Sequence, residues 1–271
     1  MIYAMNYANK KYRKSQRLNT KTAYSMGGVD WVFEFTPGDI DEEFRKKNKK
    51  ILDAVKGNGY WLWKPYFMDR VLDKIEYGDW LVYADSGGFY YQNNLKGYIQ
   101  KLEQQGIYAV CQDQPYIEAH YTKRDTFVIM GMDAEEYSSS TQRAAGLLIL
   151  QKNEKNIQMI KEWLMYARDE RVITDMPNTC GRNNYEGFIS HRQDQSIFSL
   201  LSKKYEVYAE QHLWVNFMNR KDYETLFCYH HTTCGSIPGI FLYKKLYSSS
   251  FFKKCYHTMK DYTPLFNCLK K

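Results

Sequence analysis

The stretch GNGYWLWKPYFMDRVLDKIEYGDWLVYADSGG, Gly57–Gly88, decides the fold. Its centre, Trp80-Leu81-Val82-Tyr83-Ala84, is a short run of apolar, β-branched and aromatic residues that stops at Asp85-Ser86-Gly87-Gly88. Such a run, closed by a glycine pair, reads as a buried strand. A carboxylate at the C-terminal end of a buried strand lies where α/β sheets bind ligands. There a lone carboxylate can hold a divalent cation, and the cation a diphosphate. Ahead of the strand, Tyr60, Trp61, Trp63, Lys64, Pro65 and Tyr66 form an aromatic and cationic cluster. It leads into a helix expected over 65–75.

Outward from this block, strands alternate with helices. Strands are expected over 2–8, 29–35, 108–111 and 205–209. Asp39 or Asp41 is placed to cap a helix running to about Val55, which Gly57 and Gly59 end. Further helices are expected over 95–105, 154–167 and, opened by His191-Arg192-Gln193-Asp194-Gln195-Ser196, over 197–201. Thr141–Leu150 ends in an apolar run, and 177–187 is polar and rich in turns. This alternation predicts an α/β fold with a mixed, mostly parallel sheet. No G-x-G-x-x-G turn and no P-loop occurs, so neither a dinucleotide fold nor a P-loop NTPase is expected.

A chain of 271 residues can bury one core. Its aromatic fraction of 17% is mostly tyrosine, 25 residues, which suits stacking on sugars and bases. The net charge of +7 favours an anionic partner. The cations do not gather into one long stripe, which weighs against nucleic acid. Lys10, Lys11, Arg13, Lys14, Arg17 and Lys21 form a local basic rim. The six cysteines contain no C-x-x-C pair, so no structural zinc site is expected. The N-terminus lacks the pattern of a secretory signal, and no run of ~18 apolar residues occurs. A cytoplasmic protein is expected.

The blocks Gly59-Tyr60-Trp61-Leu62-Trp63-Lys64-Pro65-Tyr66, Tyr83-Ala84-Asp85-Ser86-Gly87, Tyr121-Thr122-Lys123-Arg124-Asp125, Gln142-Arg143-Ala144-Ala145-Gly146, His191–Ser196 and His230-His231 occur in that order. On these the chain resembles the bacterial capsule and lipopolysaccharide glycosyltransferases of the GT-A type. The resemblance implies a single domain over 1–271 with a Rossmann-like mixed sheet flanked by helices. Its nucleotide-sugar part would cover about 1–115 and its acceptor side about 116–271. It departs from the common Asp-x-Asp at the strand end, having Asp85-Ser86-Gly87, and has Thr232 where an arginine is expected.

The resemblance further implies transfer of a sugar from a nucleotide-diphosphate donor to a glycan or lipid-linked glycan. Asp85, with His230 or His231, would hold Mn2+ or Mg2+. Asp194 would face the reacting centre with His191 beside it. Tyr3, Ala4, Asn6, Tyr60, Trp63, Lys64, Ser86, Gly87, Lys123, Gln142, Arg192 and Gln195 would hold the nucleotide sugar. Phe251–Lys271 mixes aromatic and basic residues and could rest on an anionic membrane, on its inner face. Two other readings remain open at this level: a non-catalytic carbohydrate-binding protein and a sugar nucleotidyltransferase. The latter wants a Gly- and Lys-rich loop after the first strand, and Asn9–Arg17 has no glycine.

Overall fold

A computed structural model of the chain describes residues 1–90, 95–211, 213–216 and 227–229. His230, His231, Thr232 and Phe251–Lys271 lie outside the described residues. The described chain is a mixed α/β fold. Its main sheet has six strands in the order β2-β1-β3-β6-β5-β7. These are β1 (Ile2–Tyr7), β2 (Trp31–Phe35), β3 (Trp80–Ala84), β5 (Ala109–Ile117), β6 (Thr141–Gln151) and β7 (Tyr208–Glu210). The pairs β1–β2, β1–β3 and β5–β7 are parallel, and β6 runs antiparallel to both its neighbours. A three-stranded sheet stands apart: β4 (Gly88–Tyr90), β9 (Phe227–Tyr229) and β8 (Trp214–Asn216). A mixed sheet with helices on both faces is the architecture that the resemblance implied.

Strand periodicity explains the two cores. Side chains alternate across a sheet, so Met5, Tyr7, Leu81 and Tyr83 enter one cluster while Ile2, Ala4, Val82 and Ala84 enter the other. The first cluster is covered by the Trp63–Leu72, Glu154–Ala167 and Gln193–Lys204 helices, the second by Arg13–Ser25 and Leu95–Gln104. Because β3 is buried on both faces, it reads as an unbroken apolar run.

The strand order places the site. After β1 the chain adds β2 on one side and then crosses to add β3 on the other. From β1 the chain leads to β2 on one side, and from β3 it leads on to β5 on the other; such a reversal of strand order leaves a crevice at the C-terminal ends. Because β6 is antiparallel, its beginning lies at the same edge: Ala84 pairs with Leu147, and the Asp85 N–H donates to the Gly146 carbonyl at 2.8 Å.

Some elements differ from expectation. The helix expected to reach Val55 is two short pieces, Glu42–Lys47 and Lys49–Leu52. Asn48 divides them, its amide bonding back to the Phe44 carbonyl at 2.8 Å and competing with the helical backbone. Asp41 caps the first piece, whereas Asp39 closes a reciprocal box with Thr36 one turn earlier. β5 runs to Ile117, past the expected Cys111, because two bulges absorb its irregular register against β6.

Candidate active site

Lys64 is the centre of the site. Its ε-ammonium is 3% exposed and lies 2.5 Å from Asp194 Oδ2, 3.1 Å from the Ala145 carbonyl and 3.8 Å from Asp85 Oδ1. The Tyr83 hydroxyl donates to the same Asp85 oxygen. Tyr83 and Asp85 are two residues apart and so share a sheet face. Burial works to lower the Lys64 pKa, but the Asp194 and Asp85 carboxylates outweigh it and hold the ammonium charged. Burial pushes the Asp194 carboxyl up, to about 6, against the pull of Lys64. Tyr83, buried beside Asp85, is held well above its ordinary range and stays a donor.

Local backbone delivers these groups. Gly57, Asn58, Gly59, Tyr60 and Trp61 all have positive φ, a full left-handed turn. Outside glycine each such residue costs about 1–2 kcal/mol, so the turn needs support. The Asn58 amide donates to the Tyr7 hydroxyl, and the Trp63 indole N–H donates to the Gly57 carbonyl at 3.0 Å. The Trp63 ring stacks on Tyr7 with centroids 3.8 Å apart. The chain then enters the helix with Lys64 turned inward, and Pro65 sits in the first turn, where no N–H is needed. Gly59 has φ +95°, and a Cβ there would come within 2.9 Å of the Leu52 backbone. Gly59→Ala is expected to lower stability by about 2 kcal/mol, read from urea unfolding; an unchanged midpoint would refute the packed left-handed turn.

A second positive φ, 47°, occurs at Gln193, directly before Asp194. Its side-chain amide donates to Asp175 Oδ1 at 2.6 Å, and the Lys56 ammonium reaches the other oxygen of that carboxylate at 2.7 Å. Asp175 thus ties the left-handed turn to the start of the Asp194 helix.

The other expected site residues divide into three groups. Asp85, Ser86 and Gly87 lie at the crevice. The Asp85 side chain is 40% exposed, and among the described residues nothing bonds its Oδ2. The Ser86 hydroxyl donates to the Tyr7 carbonyl at 2.6 Å, pinning the ends of β1 and β3 together. Among the described residues, a Cβ on Gly87 would meet nothing within 4 Å, so they leave the space over this turn open.

A second group supports the site from beneath. Gln195 donates to Gln142 at 2.8 Å, and Gln142 donates to the buried Glu118 carboxylate at 3.2 Å. Trp63 is a core anchor, and Tyr60 packs at the edge of the same core. Asn6 is sealed under the Arg13–Ser25 helix, its amide donating to Asn19 and Thr20. His191 is buried and held neutral: burial, and then the Lys123 charge, push its pKa down to about 3. Its Nε2 bonds the Val172 carbonyl at 2.8 Å and its Nδ1 faces the Lys123 N–H at 3.4 Å. Both ring nitrogens are engaged, so the imidazole positions backbone and has no nitrogen free for proton transfer.

The third group lies outside the Lys64, Asp85 and Asp194 cluster. Tyr3 and Ala4 sit too early on β1: the Tyr3 hydroxyl meets Met1 at the opposite end of the strand, and Ala4 is fully buried. The strand-end residue on the site's face is Tyr7, which the alternation that puts Tyr3, Met5 and Tyr7 on one face of β1 would have indicated. The Lys123 ammonium donates to the Met176 carbonyl at 2.9 Å beside Asp125 and anchors the 177–187 loop. Arg192 lies over the rings of Tyr121 and Tyr116 at 4.1 and 4.5 Å.

Among the described residues no group of three or more His, Cys, Asp or Glu is placed to cage a metal ion. Asp85 alone, with one oxygen open, fits the pattern in which a hard cation takes one carboxylate and completes its shell with ligand phosphates and water.

No protein-family model matches the chain, and no curated protein matches it. Solved structures do. One is a glycosyltransferase involved in glycosylation of the major capsid of PBCV-1, at 12% identity and TM-score 0.47, over 87% of this chain and 95% of that one. A second is mouse xyloside xylosyltransferase 1, at 9% identity and TM-score 0.43, over 88% of this chain and 100% of that one. A third is the galactosyltransferase LgtC in complex with donor and acceptor sugar analogs, at 12% identity and TM-score 0.47, over 92% of this chain and 96% of that one.

Proposed function

We propose that the chain is a GT-A-type glycosyltransferase that moves a sugar, as a hexosyltransferase does, from a nucleotide-diphosphate donor to a growing capsule or lipopolysaccharide glycan. The observation that carries this reading is the buried Lys64 ammonium joining Asp85, at the crevice between β1 and β3, to Asp194, from the other half of the chain. An open carboxylate at a strand end and a second, ionisable carboxylate beside it are the two tools the reaction needs. One meets the charged leaving group and the other takes a proton.

In an inverting transfer the acceptor hydroxyl attacks the anomeric carbon, the bond from that carbon to the diphosphate oxygen breaks, and the nucleoside diphosphate leaves. Asp194 accepts the hydroxyl proton as the new bond forms. Lys64 keeps Asp194 ionised near neutral pH and fixes which oxygen faces it. Asp85 would hold Mn2+ or Mg2+, which when bound offsets charge on the departing diphosphate. Ser86 and Gly87 leave the turn open for the donor. Exposed Lys10, Lys11 and Lys14, directly after β1, lend positive potential to the same edge and suit an inner-membrane surface carrying a lipid-linked acceptor.

The test is calorimetric titration of UDP, GDP and CDP with Mn2+ and with EDTA, on the wild type and on Asp85→Ala. One nucleotide should bind with Mn2+ and lose at least about tenfold affinity in the variant. Binding that ignores both metal and Asp85 would remove Asp85 as a ligand. Absence of any nucleotide binding would sink the transferase reading.

A further inference from the structure

We propose that Arg192, Tyr116 and Tyr121 form a subsite for a saccharide that carries an oxyanion, a carboxylate or a phosphate. That the saccharide is the acceptor rests on the transferase reading; its anionic character rests on the subsite alone.

The Arg192 guanidinium lies 4.1 Å from the centre of the Tyr121 ring and 4.5 Å from that of Tyr116. The two rings meet edge to face, with centroids 5.2 Å apart. A guanidinium resting on two rings is pre-organised and loses little freedom when it binds. The backbone is pinned as well: the Arg192 N–H donates to the Tyr121 carbonyl at 3.0 Å, and the Ser196 hydroxyl bonds that same carbonyl at 2.8 Å.

The fork itself is unused. Arg124 and Arg182 share Asp133, Arg171 pairs with Asp169, and Arg143 donates to Ser202 and the Val207 carbonyl. Among the described residues no carboxylate and no other acceptor takes a side-chain N–H of Arg192. A half-buried cation without a counter-charge costs free energy that only a ligand or solvent recovers.

Its surroundings suit a sugar. Tyr116 lies in the second bulge of β5, between its Asp113–Arg143 and Ile117–Thr141 pairs with β6, and bulges re-aim side chains. Tyr116 is 36% exposed, and Ile117 and Ile189 are exposed near it in the chain segments that carry the rings and the guanidinium. Apolar and aromatic surface takes the C–H face of a pyranose, and a planar fork takes two oxygens of a carboxylate or phosphate. A neutral sugar uses only the first feature; an anionic sugar uses both. Asp194 follows Arg192 by two residues, so the subsite adjoins the carboxylate that would receive the acceptor's proton.

The experiment is an NMR titration of the full chain, protein signals observed, with glucuronate, glucose 6-phosphate and methyl glucoside. An anionic sugar should bind about tenfold more tightly than methyl glucoside. Arg192→Ala should abolish that preference, and Arg192→Lys should keep part of it, since a point charge lacks the fork. If Arg192→Ala does not fold, Tyr116→Ala, at an exposed ring, should weaken the preference about fivefold. Preference for glucuronate alone assigns a carboxylate, and preference for both sugars a general oxyanion. Glucose 6-phosphate binding that disappears in Asp85→Ala belongs to the donor crevice, and glucuronate then decides. Equal binding of the three sugars, no saturable binding, or a preference that survives in folded Arg192→Ala overturns the proposal. UDP with Mn2+ in the same samples separates the two ideas. Nucleotide binding without a sugar preference overturns the subsite alone, and a sugar preference without nucleotide binding overturns the transferase reading alone.

Discussion

Replacing Lys64 with methionine is expected to destabilise the protein by about 3–5 kcal/mol at pH 8, the usual cost of removing one partner from a buried ion pair. Methionine fills similar volume, so the loss is electrostatic: Asp194, 4% exposed, keeps its charge and loses its partner. The penalty depends on pH, and its sign follows from the carboxyl. Burial already raises Asp194 to about 6 in the folded protein, above its ordinary value, and without Lys64 it rises further. A group raised by folding stabilises the fold when protonated, and that contribution is lost as pH climbs through the folded value. The Lys64→Met penalty should therefore be small near pH 5 and complete near pH 8. Urea unfolding of both proteins at the two pH values measures it. Equal penalties at both would mean that Asp194 is not the group left uncompensated.

Asp194→Asn is expected to lower the turnover of sugar transfer by about 10²–10⁴, the range that a general base contributes. The donor KM should stay within a few-fold. Asparagine has the same shape and can still accept from Lys64, so the fold and the donor crevice survive. The wild-type rate should rise as pH passes about 6, where Asp194 ionises, and the residual rate of the variant should not. The donor identified by nucleotide titration supplies the assay. A loss below tenfold, with the acid limb intact, would leave Asp194 as a structural partner of Lys64 only.

Several features were legible in the residues because they are local. β3 and the carboxylate that ends it follow from apolar length and a glycine pair. The alternation of odd and even positions on β1 and β3 assigns each side chain to one of two cores. Gly57-Asn58-Gly59 reads as the end of a helix, but the helical piece before it stops at Leu52. That these residues belong to a five-residue left-handed turn is not readable, because Tyr60 and Trp61 adopt positive φ only where the contacts of their neighbours compensate, Asn58 and Trp63 on Tyr7 and Gly59 on Leu52. His191 and Lys123 are site candidates through the blocks that carry the resemblance. Burial and backbone acceptors make both structural, and neither burial nor acceptor is written in a motif.

The sequence by itself determined the alternating strands and helices, the crevice-facing Asp85 and the aromatic block with its lysine, since each depends on periodicity or on neighbours a few residues apart. The tertiary structure decided the role of that lysine. Lys64 and Asp194 are 130 positions apart, and only the crossing of β1 to β3, with β6 reversed between β3 and β5, brings them to one point. Once there, exclusion of water settles the chemistry. It strengthens the pair, raises the carboxyl toward neutral pH, and makes an expected nucleotide-sugar contact the buried counter-charge of Asp194.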